Sequence, residues 1–361
     1  MKRSRVTSSC TLFFLLLFAV LTTTTAAAKT VTILIGYPPG GGHDIEARVM
    51  GRYLGKYLPG NPKVIVQNMP GAGGMIMSSF VYNRAKPDGN TIGLFGSSHG
   101  LQAVLAPPEM VKYDLLKMPI IWSVAGIQVH LTRDFLGARN ANDLVTKVDR
   151  SKIALAGRSK QGSSCLRGQL ALRLLGIDQY TPVCGYGGTS PIRAAMERSE
   201  VSYFVASDAH LVGGGAFVDL HQRGLVFPMY QSGILKGDGS IVRSATVKGD
   251  VPTLYEVYKA VHKKEPSGSN WEAWRAIGLG ISNLTRTLVL PPGIAGAKVG
   301  ELREAVGKMT RDPGFIKDWE RVFGQKLAPV LVTPEDATRI RDETMAPAEW
   351  QTYLRKFANA K

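Results

Sequence analysis

Three adjacent glycines form the first stretch of this chain whose residue types could do chemistry. Residues 37–44 read YPPGGGHD and follow an apolar, β-branched run at 31–35 that predicts a buried strand. Apolar residues at positions 45, 49, 50, 53 and 54 then fit one face of a helix. Glycines let the backbone approach a ligand closely, and the amides at a helix start carry partial positive charge. The loop therefore indicates a site for an anion such as a carboxylate, or otherwise a tight turn that only relieves steric strain.

Two well-known phosphate-binding loops are excluded by the spacing of these glycines. No Gly-Lys-Ser or Gly-Lys-Thr follows them, so the loop is not of the Walker type. The spacing is not G-x-G-x-x-G either, which excludes the dinucleotide-binding fingerprint.

The same order of elements recurs twice further along the chain. Residues 63–67 predict a second strand, which runs into the glycine loop NMPGAGG at 68–74. Residues 91–95 predict a third strand, which ends at the GSSHG sequence of residues 96–100. Strands that alternate with helices indicate a parallel α/β sheet, and ligands bind such sheets beyond the carboxyl ends of the strands. The three loops are predicted to lie at that edge.

These segments resemble the signature sequences of a known family. The sequences YPPGGGHDIEAR at 37–48, QNMPGAGG at 67–74 and KPDGNT at 86–91 resemble those of the extracytoplasmic receptors of tripartite tricarboxylate transporters, the Bug family. VCGYGGTSP at 183–191 and DVPTLYE at 250–256 resemble the second-domain loop and the return motif of the same family. The resemblance covers nearly the whole chain after its first 28 residues, in the order found in the family.

The chain departs from the family pattern at a few positions. His43 stands where Thr or Ser is usual, and Gln67 stands where Glu is usual. Cys184 and Gly185 replace the proline that normally precedes the loop tyrosine. These differences leave the identity of the ligand open.

The resemblance implies an α/β protein with the type II periplasmic binding protein-like fold, in which two lobes enclose a ligand cleft. We expect a first lobe built from residues 29–130 and 229–361, and a second lobe built from residues 131–228. The resemblance further implies a monomer without a cofactor, which captures a small carboxylate and presents it to the membrane permease subunits of the transporter. A ligand-binding sensor for a signalling partner would use the same cleft.

The ligand-binding residues of the family carry over by position onto both lobes. The implied set consists of loop residues and of small polar residues at strand ends and helix starts: Tyr37, Gly40, Gly41, His43, Asp44, Ala72, Gly73, Ser97, Ser98, Gly162, Ser163, Ser164, Tyr186, Gly187, Ser207 and Asp208. For the serines, ordinary helix capping is the alternative. Asp44 is expected to cap its helix, because a second negative charge would repel an anionic ligand. His43 would add a donor if protonated, or else be a surface-loop histidine.

The first 28 residues have the pattern of a cleavable secretory signal. Lys2, Arg3 and Arg5 precede an apolar stretch at 12–21, and three alanines at 26–28 form a small-residue cleavage site. The apolar stretch is too short for a stable membrane-spanning helix, and no later apolar run has spanning length. We therefore expect a periplasmic protein, with a retained membrane anchor as the alternative.

The charge of the chain favours anionic solutes as partners. The 361 residues include 44 Lys and Arg against 28 Asp and Glu, a formal net charge of +16. Such a balance can indicate nucleic-acid binding. Here the basic residues are scattered and the chain is predicted to be exported, so we expect no nucleic-acid partner and infer a general attraction for anionic solutes.

An enzyme is the alternative that the sequence leaves open. Residues 96–100 match G-x-S-x-G after a predicted strand, the arrangement of a hydrolase nucleophile at Ser98. Asp208 and His262 follow in the order of the triad of a secreted serine hydrolase or esterase, although His262 lies at a basic helix end typical of a surface. The six histidines show no metal-ligand spacing. The favoured prediction is a binding protein without a catalytic residue or a metal.

Two cysteines of the exported chain are predicted to pair. Cys165 lies in the first turn of a predicted helix, and Cys184 lies at the end of the next strand. In a right-handed strand–helix–strand unit these two positions lie at the same edge of the sheet. An oxidising compartment allows a disulfide there, across the mouth of the second lobe.

Overall fold

The structure is a computed structural model that describes residues 30–40, 42–158, 160, 162–186, 189–212, 215–236, 238–324, 326–345 and 348–359. The predicted signal sequence, residues 1–28, lies outside the described residues. Among the helices of the described ranges, none is both long enough and apolar enough to cross a membrane.

Strands and helices alternate through most of the chain. In chain order the strands are β1 (Thr30–Ile35), β2 (Lys63–Asn68), β3 (Thr91–Gly96), β4 (Ile120–Val124), β5 (Gln128–Arg133), β6 (Ala154–Gly157), β7 (Thr181–Cys184), β8 (Tyr203–Ser207), β9 (Val226–Gln231), β10 (Ile234–Leu235), β11 (Ile241–Val242), β12 (Arg286–Val289) and β13 (Leu331–Val332).

The helices lie between these strands and after them. They are α1 (Gly42–Leu54), α2 (Met75–Asn83), α3 (Ser97–Leu105), α4 (Ala141–Thr146), α5 (Ser163–Leu174), α6 (Thr189–Glu197), α7 (Val218–Gln222), α8 (Leu254–His262), α9 (Ser269–Trp274), α10 (Gly296–Met309), α11 (Pro313–Phe323), α12 (Pro334–Met345) and α13 (Ala348–Asn359). A π-helical segment, Arg275–Gly280, follows α9 directly.

One sheet has the strand order β13-β4-β12-β3-β1-β2. β1 pairs in parallel with β2 and β3, because α1 and α2 carry the chain back along the sheet between these strands. β12 pairs antiparallel with β3 and β4, and β13 pairs antiparallel with β4. The strands predicted at 31–35, 63–67 and 91–95 correspond to β1, β2 and β3. This sheet and the helices packed on it are called the first lobe.

A second sheet has the strand order β7-β6-β8-β5-β9. β6 pairs in parallel with β7 and β8, with α5 and α6 as the intervening helices. β5 pairs antiparallel with β8 and β9. This sheet and its helices are called the second lobe.

Helix α1 packs on the first sheet through a face that differs from the predicted one. Val49 and Met50 are buried as expected, but Ile45 is 40 % exposed while Glu46 is fully buried. Glu46 can be buried because Nε of Arg286, on β12, lies 2.7 Å from its carboxylate. The apolar pattern of the helix cannot indicate a partner that lies on a distant strand.

The chain crosses between the lobes at places that differ from the predicted boundaries. β4 belongs to the first sheet and β5 to the second, so the expected boundary at residue 130 falls inside β5. The expected return at residue 228 falls inside β9, and the chain does not re-enter the first sheet until β12. Between these strands, Leu254 of α8 and Trp271 of α9 share a buried core with Leu170 of α5. The apolar faces of α8 and α9 thus hold this part of the chain on the second lobe.

One apolar core is shared by the two lobes. It contains Leu101 and Val104 of α3, Leu170 of α5, Trp274 of α9 and Leu354 of α13, all of them buried. Helix α3 follows a strand of the first sheet, and α5 follows a strand of the second. The lobes are therefore packed on each other through these helices, in addition to being linked by the chain.

Candidate ligand-binding site

A cavity of ≈ 480 Å³ lies between the lobes, at the carboxyl ends of β1, β3 and β6, and is called the cleft. Its lining comes from the turns after these strands: Tyr37, Pro38, Pro39, Gly42, His43, Ser97, Ser98, Arg158 and Ser163. Three helices begin in the lining, α1 at Gly42, α3 at Ser97 and α5 at Ser163. The N–H groups of a helix start lack intrahelical partners and favour anions. Among the described lining residues, none has an acidic side chain.

Asp44, in the first turn of α1, holds the glycine loop and does not line the cleft. Its carboxylate accepts hydrogen bonds from the backbone N–H of Gly40 at 2.9 Å, from Nε and Nη2 of Arg48 at 3.0 Å, and from Nδ2 of Asn68 at 2.9 Å. Gly40 has φ +83°, in the left-handed region that glycine tolerates best. The hydrogen bonds from Arg48 lower the pKa of Asp44 to about 2, so the carboxylate is ionised and paired at neutral pH.

Tyr37 connects the first glycine loop to the start of α3. Its hydroxyl forms a hydrogen bond with the Ser98 hydroxyl and lies 3.2 Å from Nδ1 of His99. Nδ1 of His99 also accepts a hydrogen bond from the backbone N–H of Gly96 at 2.9 Å. His99 is fully buried, and burial lowers its pKa to about 4, so its ring is neutral near pH 7. Tyr37 and Ser98 therefore present neutral hydroxyl groups to the cleft.

Two glycines enclose the His99 ring on its other side. A Cβ atom on Gly36 would lie 2.9 Å from Nε2 of His99, and a Cβ atom on Gly74 would lie closer still. Gly74 also has φ +99°, a conformation that side chains disfavour. Both positions require glycine because any side chain would meet the ring. The wall of the cleft on the first lobe is therefore closely packed.

The second glycine loop supports this wall without lining the cleft. Ala72 and Gly73 are exposed and have φ values of +46° and +64°. The Ser98 hydroxyl donates a hydrogen bond to the carbonyl oxygen of Gly73 at 3.4 Å. Gly41 and Gly187, two further predicted ligand-binding residues, lie outside the described residues. A ligand contact at any of these four loop positions stays a prediction.

His43 lines the cleft as a neutral ring. Its Nε2 atom lies 3.3 Å from the carbonyl oxygen of Thr285, and its ring centroid lies 4.6 Å from that of Tyr37. Burial and the neighbouring charge of Arg286 lower the pKa of His43 to about 3. The ring therefore carries no charge near pH 7, and with a proton on Nε2 it donates to the backbone of the first lobe.

Behind the cleft, an ion pair joins α1 to β12. Oε2 of Glu46, which is fully buried, lies 2.7 Å from Nε of Arg286. The N–H is not directed at the oxygen, so the pair is held by charge without a well-aligned hydrogen bond. Burial raises the pKa of Glu46 to about 7, although the charge of Arg286 opposes the rise. A Cβ on Gly42 would lie 3.5 Å from Nη2 of Arg286, which places the guanidinium beneath the start of α1.

The second lobe contributes Arg158, a cleft residue that the sequence analysis did not single out. Its backbone N–H donates to Oγ of Ser164 at 3.3 Å, and its Nη2 donates to Oγ1 of Thr189 at 3.3 Å. Its side chain is exposed, and within the described part of the chain it belongs to no ion pair. In the sequence, Arg158 stands out only as a basic residue between a predicted strand and a helix start. Basic residues are also common at such positions in solvated loops.

The start of α5 is fixed beneath Arg158. Gly162 precedes the helix, and Ser163 is half-buried in the lining of the cleft. Ser164 is 5 % exposed, and its hydroxyl holds the backbone of the Arg158 turn. Of the predicted serines, Ser163 thus faces the cavity, whereas Ser164 has a structural contact.

A disulfide lies under the same turn. It joins Cys165 to Cys184, whose Cα atoms are 6.2 Å apart. A Cβ atom on Gly157, the last residue of β6, would lie 2.6 Å from both the Cβ of Cys165 and the Sγ of Cys184. The disulfide therefore packs directly against the strand end from which the Arg158 turn leaves.

The remaining predicted residues of the second lobe lie outside the lining. Tyr186 is half-buried just after β7, and the Ser207 hydroxyl lies 3.3 Å from Nδ1 of His210. Asp208 is 3 % exposed and accepts a hydrogen bond from the Thr246 hydroxyl. Burial raises the pKa of Asp208. These residues support the second sheet at its cleft edge, and a direct ligand contact by them stays a prediction.

The residues of the hydrolase alternative are not brought together. The Ser98 hydroxyl contacts Tyr37 and the Gly73 carbonyl, whereas Nε2 of His262 contacts the carbonyl oxygen of Leu174 at 2.8 Å, within the second lobe. A serine nucleophile needs its histidine within hydrogen-bonding distance. In the part of the chain that the structure describes, no group of three or more His, Cys, Asp or Glu residues is placed to hold a metal ion.

The sequence is similar to one curated protein over part of its length. BugT of Bordetella pertussis is 36 % identical over 96 residues, which make up 27 % of this chain and 28 % of BugT. The match thus spans little more than a quarter of that relative. No family model matches the chain.

Solved structures match nearly the whole chain. The periplasmic binding protein BugD has a TM-score of 0.60 at 21 % identity, over 91 % of this chain and 97 % of its own. A TctC solute-binding protein from Polaromonas has a TM-score of 0.69 at 16 % identity, over 92 % of this chain and 100 % of its own. MatC of Rhodopseudomonas palustris, with bound malate, has a TM-score of 0.59 at 20 % identity, over 90 % of this chain and 98 % of its own. The resemblance to the Bug receptors is confirmed by BugT in sequence and by BugD in fold, and this chain has the two-lobed fold of the type II periplasmic binding proteins.

Proposed function

We propose that this chain is a Bug-type receptor that captures a small carboxylate in the cleft and presents it to the permease subunits of a tripartite tricarboxylate transporter. The observation that carries the proposal is the lining of the cleft, where three helices begin and where no described residue has an acidic side chain. BugT and BugD support the receptor class, and the malate in MatC supports a carboxylate ligand. Export to the periplasm through the leader at residues 1–28 and a monomeric state belong to the same proposal.

Binding would use neutral donors of the first lobe and the helix start of the second. The first lobe offers the N–H groups at the starts of α1 and α3. The Tyr37 and Ser98 hydroxyls also line the cleft, and they would donate to a ligand after leaving their present partners, Ser98 the Gly73 carbonyl and Tyr37 the Ser98 hydroxyl. The second lobe offers the start of α5 with the Ser163 hydroxyl. When the lobes enclose a carboxylate and exclude water, each of these hydrogen bonds to a charged oxygen becomes stronger. Capture and release of this kind require no catalytic residue, and we assign none.

Thermal unfolding with and without carboxylates tests the proposal. A ligand at about 100 times its dissociation constant stabilises the folded state by roughly 2.7 kcal/mol if it does not bind the unfolded chain. We expect a rise in melting temperature with at least one of succinate, malate and adipate, and no rise with the corresponding diamides. If none of a broad set of mono-, di- and tricarboxylates raises the melting temperature, the proposal is wrong.

Ser163→Ala locates the site. The substitution removes one donor from the start of α5, and a hydrogen bond to a charged group contributes about 1.5–3 kcal/mol. We expect weaker binding of the stabilising carboxylate and an unchanged fold in its absence. The matched control is Ser267→Ala, at an exposed serine outside the cleft lining, which should leave the affinity unchanged.

The permease partner needs a separate experiment, because a receptor for a signalling protein would use the same cleft. The tagged protein, saturated with its carboxylate, would be incubated with detergent-solubilised membranes of its source. Ligand-dependent capture of a polytopic permease supports the transport role. Ligand-dependent capture of a sensor protein instead would contradict it.

A further inference from the structure

Among the described residues that line the cleft, Arg158 is the one with a positive charge. Its Nη2 donates to Oγ1 of Thr189 at 3.3 Å, and among the described residues it forms no ion pair. A guanidinium carries five N–H donors, so most of them remain available to a ligand. Arg48 lies 3.0 Å from the carboxylate of Asp44, and Arg286 lies 2.7 Å from that of Glu46. Arg167, in α5, is buried and donates from Nε to the carbonyl oxygen of Ile277 at 2.7 Å, so it does not reach the cleft lining.

Three ionisable groups near Arg158 are neutral near pH 7, namely Tyr37 and His43 across the cleft and His210 on the second lobe itself. Its charge acts on the Tyr37 hydroxyl and on the rings of His43 and His210, which shows that all three lie within its electrostatic reach. Burial raises the pKa of Tyr37 to about 12 and lowers the pKa values of His43 and His210 to about 3 and about 4. None of these groups can therefore neutralise the guanidinium, whereas the carboxylate of a ligand can.

The turn that carries Arg158 is held in place from below. The Ser164 hydroxyl accepts the backbone N–H of Arg158, and the disulfide between Cys165 and Cys184 packs against Gly157, the preceding residue. A fixed backbone limits the positions that the guanidinium can reach. Its planar pair of N–H groups matches the two oxygens of a carboxylate, which the single charged centre of a lysine does not.

We propose that Arg158 is the specificity-determining residue of the cleft and forms a two-pronged ion pair with a carboxylate group of the bound ligand. The second lobe then recognises the negative charge of the ligand directly, while the first lobe offers only uncharged donors. Ligands that carry an amide in place of this carboxylate leave the guanidinium without a partner in a closed cleft and bind weakly. This inference rests on the proposed function and adds a residue and a selection rule to it.

Calorimetric titration of four proteins tests the inference. They are the wild type, Arg158→Gln, Arg158→Lys and the control Arg84→Gln, which removes the same charge from an exposed arginine after α2 and outside the cleft lining. The probes are succinate, malate and adipate, each with its monoamide and diamide. The tightest carboxylate of the wild type is then used for the variants. Melting temperatures without ligand check that the exposed substitutions leave the fold intact.

We expect Arg158→Gln to weaken binding by about 10- to 150-fold and to reduce the preference for carboxylate over amide. Arg158→Lys should regain part of the affinity because it restores the charge without the planar fork, and Arg84→Gln should match the wild type. Affinity should fall with added salt more steeply in the wild type than in Arg158→Gln. If the affinity of Arg158→Gln is within twofold of the wild-type affinity and its preference for carboxylate over amide is unchanged, the inference is wrong. The proposal of a carboxylate receptor is then unaffected. If the wild type binds no carboxylate, both the proposed function and the inference about Arg158 are wrong.

Discussion

Cys165 and Cys184 are joined across the carboxyl edge of the second sheet, with their Cα atoms 6.2 Å apart, so that the first turn of α5 is tied to the end of β7. The two residues are separated by 19 positions, and closing a loop of this size corresponds to about 3 kcal/mol in the chain-entropy model.

We expect the double substitution of Cys165 and Cys184 by alanine to lower the free energy of unfolding by about 3 kcal/mol in urea denaturation. Adding a reductant should destabilise the wild type and leave the double variant unaffected. Thiol labelling of unfolded, unreduced protein supplies the direct check. Two labelled thiols in this pair would contradict the disulfide.

Asp44→Asn should destabilise the protein at neutral pH by about 2 kcal/mol, since the carboxylate loses its charge-assisted hydrogen bonds to Arg48. The pKa of Asp44 is about 2 in the folded state, below its ordinary value. A lowered folded-state pKa contributes stability above the unfolded-state pKa of about 3.9, and this contribution is lost as the pH falls through about 2. The difference in unfolding free energy between wild type and variant, measured by urea denaturation, should therefore be largest at pH 7 and decrease below about pH 4. A difference independent of pH would contradict this account.

Gly74→Ala should destabilise the first lobe by about 3 kcal/mol, because it combines a φ of +99° with a side chain that meets the His99 ring. The matched control is Gly300→Ala, in the middle of α10, where an added Cβ meets no atom within 4 Å. That change should stabilise the protein by about 0.5–1 kcal/mol, since alanine favours helix more than glycine does. Urea denaturation of both variants measures the contrast, and similar effects in the two would refute it.

The buried histidines should make the protein lose stability in mild acid. Burial lowers the pKa of His99 to about 4 and that of His130 to about 3, and both rings are almost completely buried. In the unfolded chain they bind protons below about pH 6.5, so stability decreases as the pH falls from about 6.5 towards these folded-state values. His130→Gln should flatten the pH dependence of the unfolding free energy between about pH 6.5 and 4.5. An unchanged slope in that window would show that His130 does not contribute to it.

The parallel units of the fold could be predicted from the sequence because each carries its own local signals. The apolar strands before the loops at residues 37–44 and 96–100 needed no distant partner to be recognised. The lobe boundaries were less predictable. The apolar face of a helix such as α8 shows that it packs on something, but not on which of two sheets.

The parts of the candidate site that depend on the local backbone could be predicted from the sequence. The side chains whose position depends on a residue far along the chain could not. The loops with Gly40 and Ser163 follow from strand–loop–helix order. Arg158 was missed because a basic loop residue usually points to water, and the structure is needed to show that a cleft lies before it. Glu46 was missed because its partner Arg286 comes from β12, far along the chain.

The core shared by α3, α5, α9 and α13 decides which side of the molecule can open. Drawing α3 away from α5 would expose Leu101, Val104 and Leu170 to water, at about 25 cal/mol for each Å² of apolar surface. None of the described residues that line the cleft is buried, so parting its walls would expose little new apolar surface. We therefore expect the lobes to part at the cleft and to stay joined at the helices of the shared core.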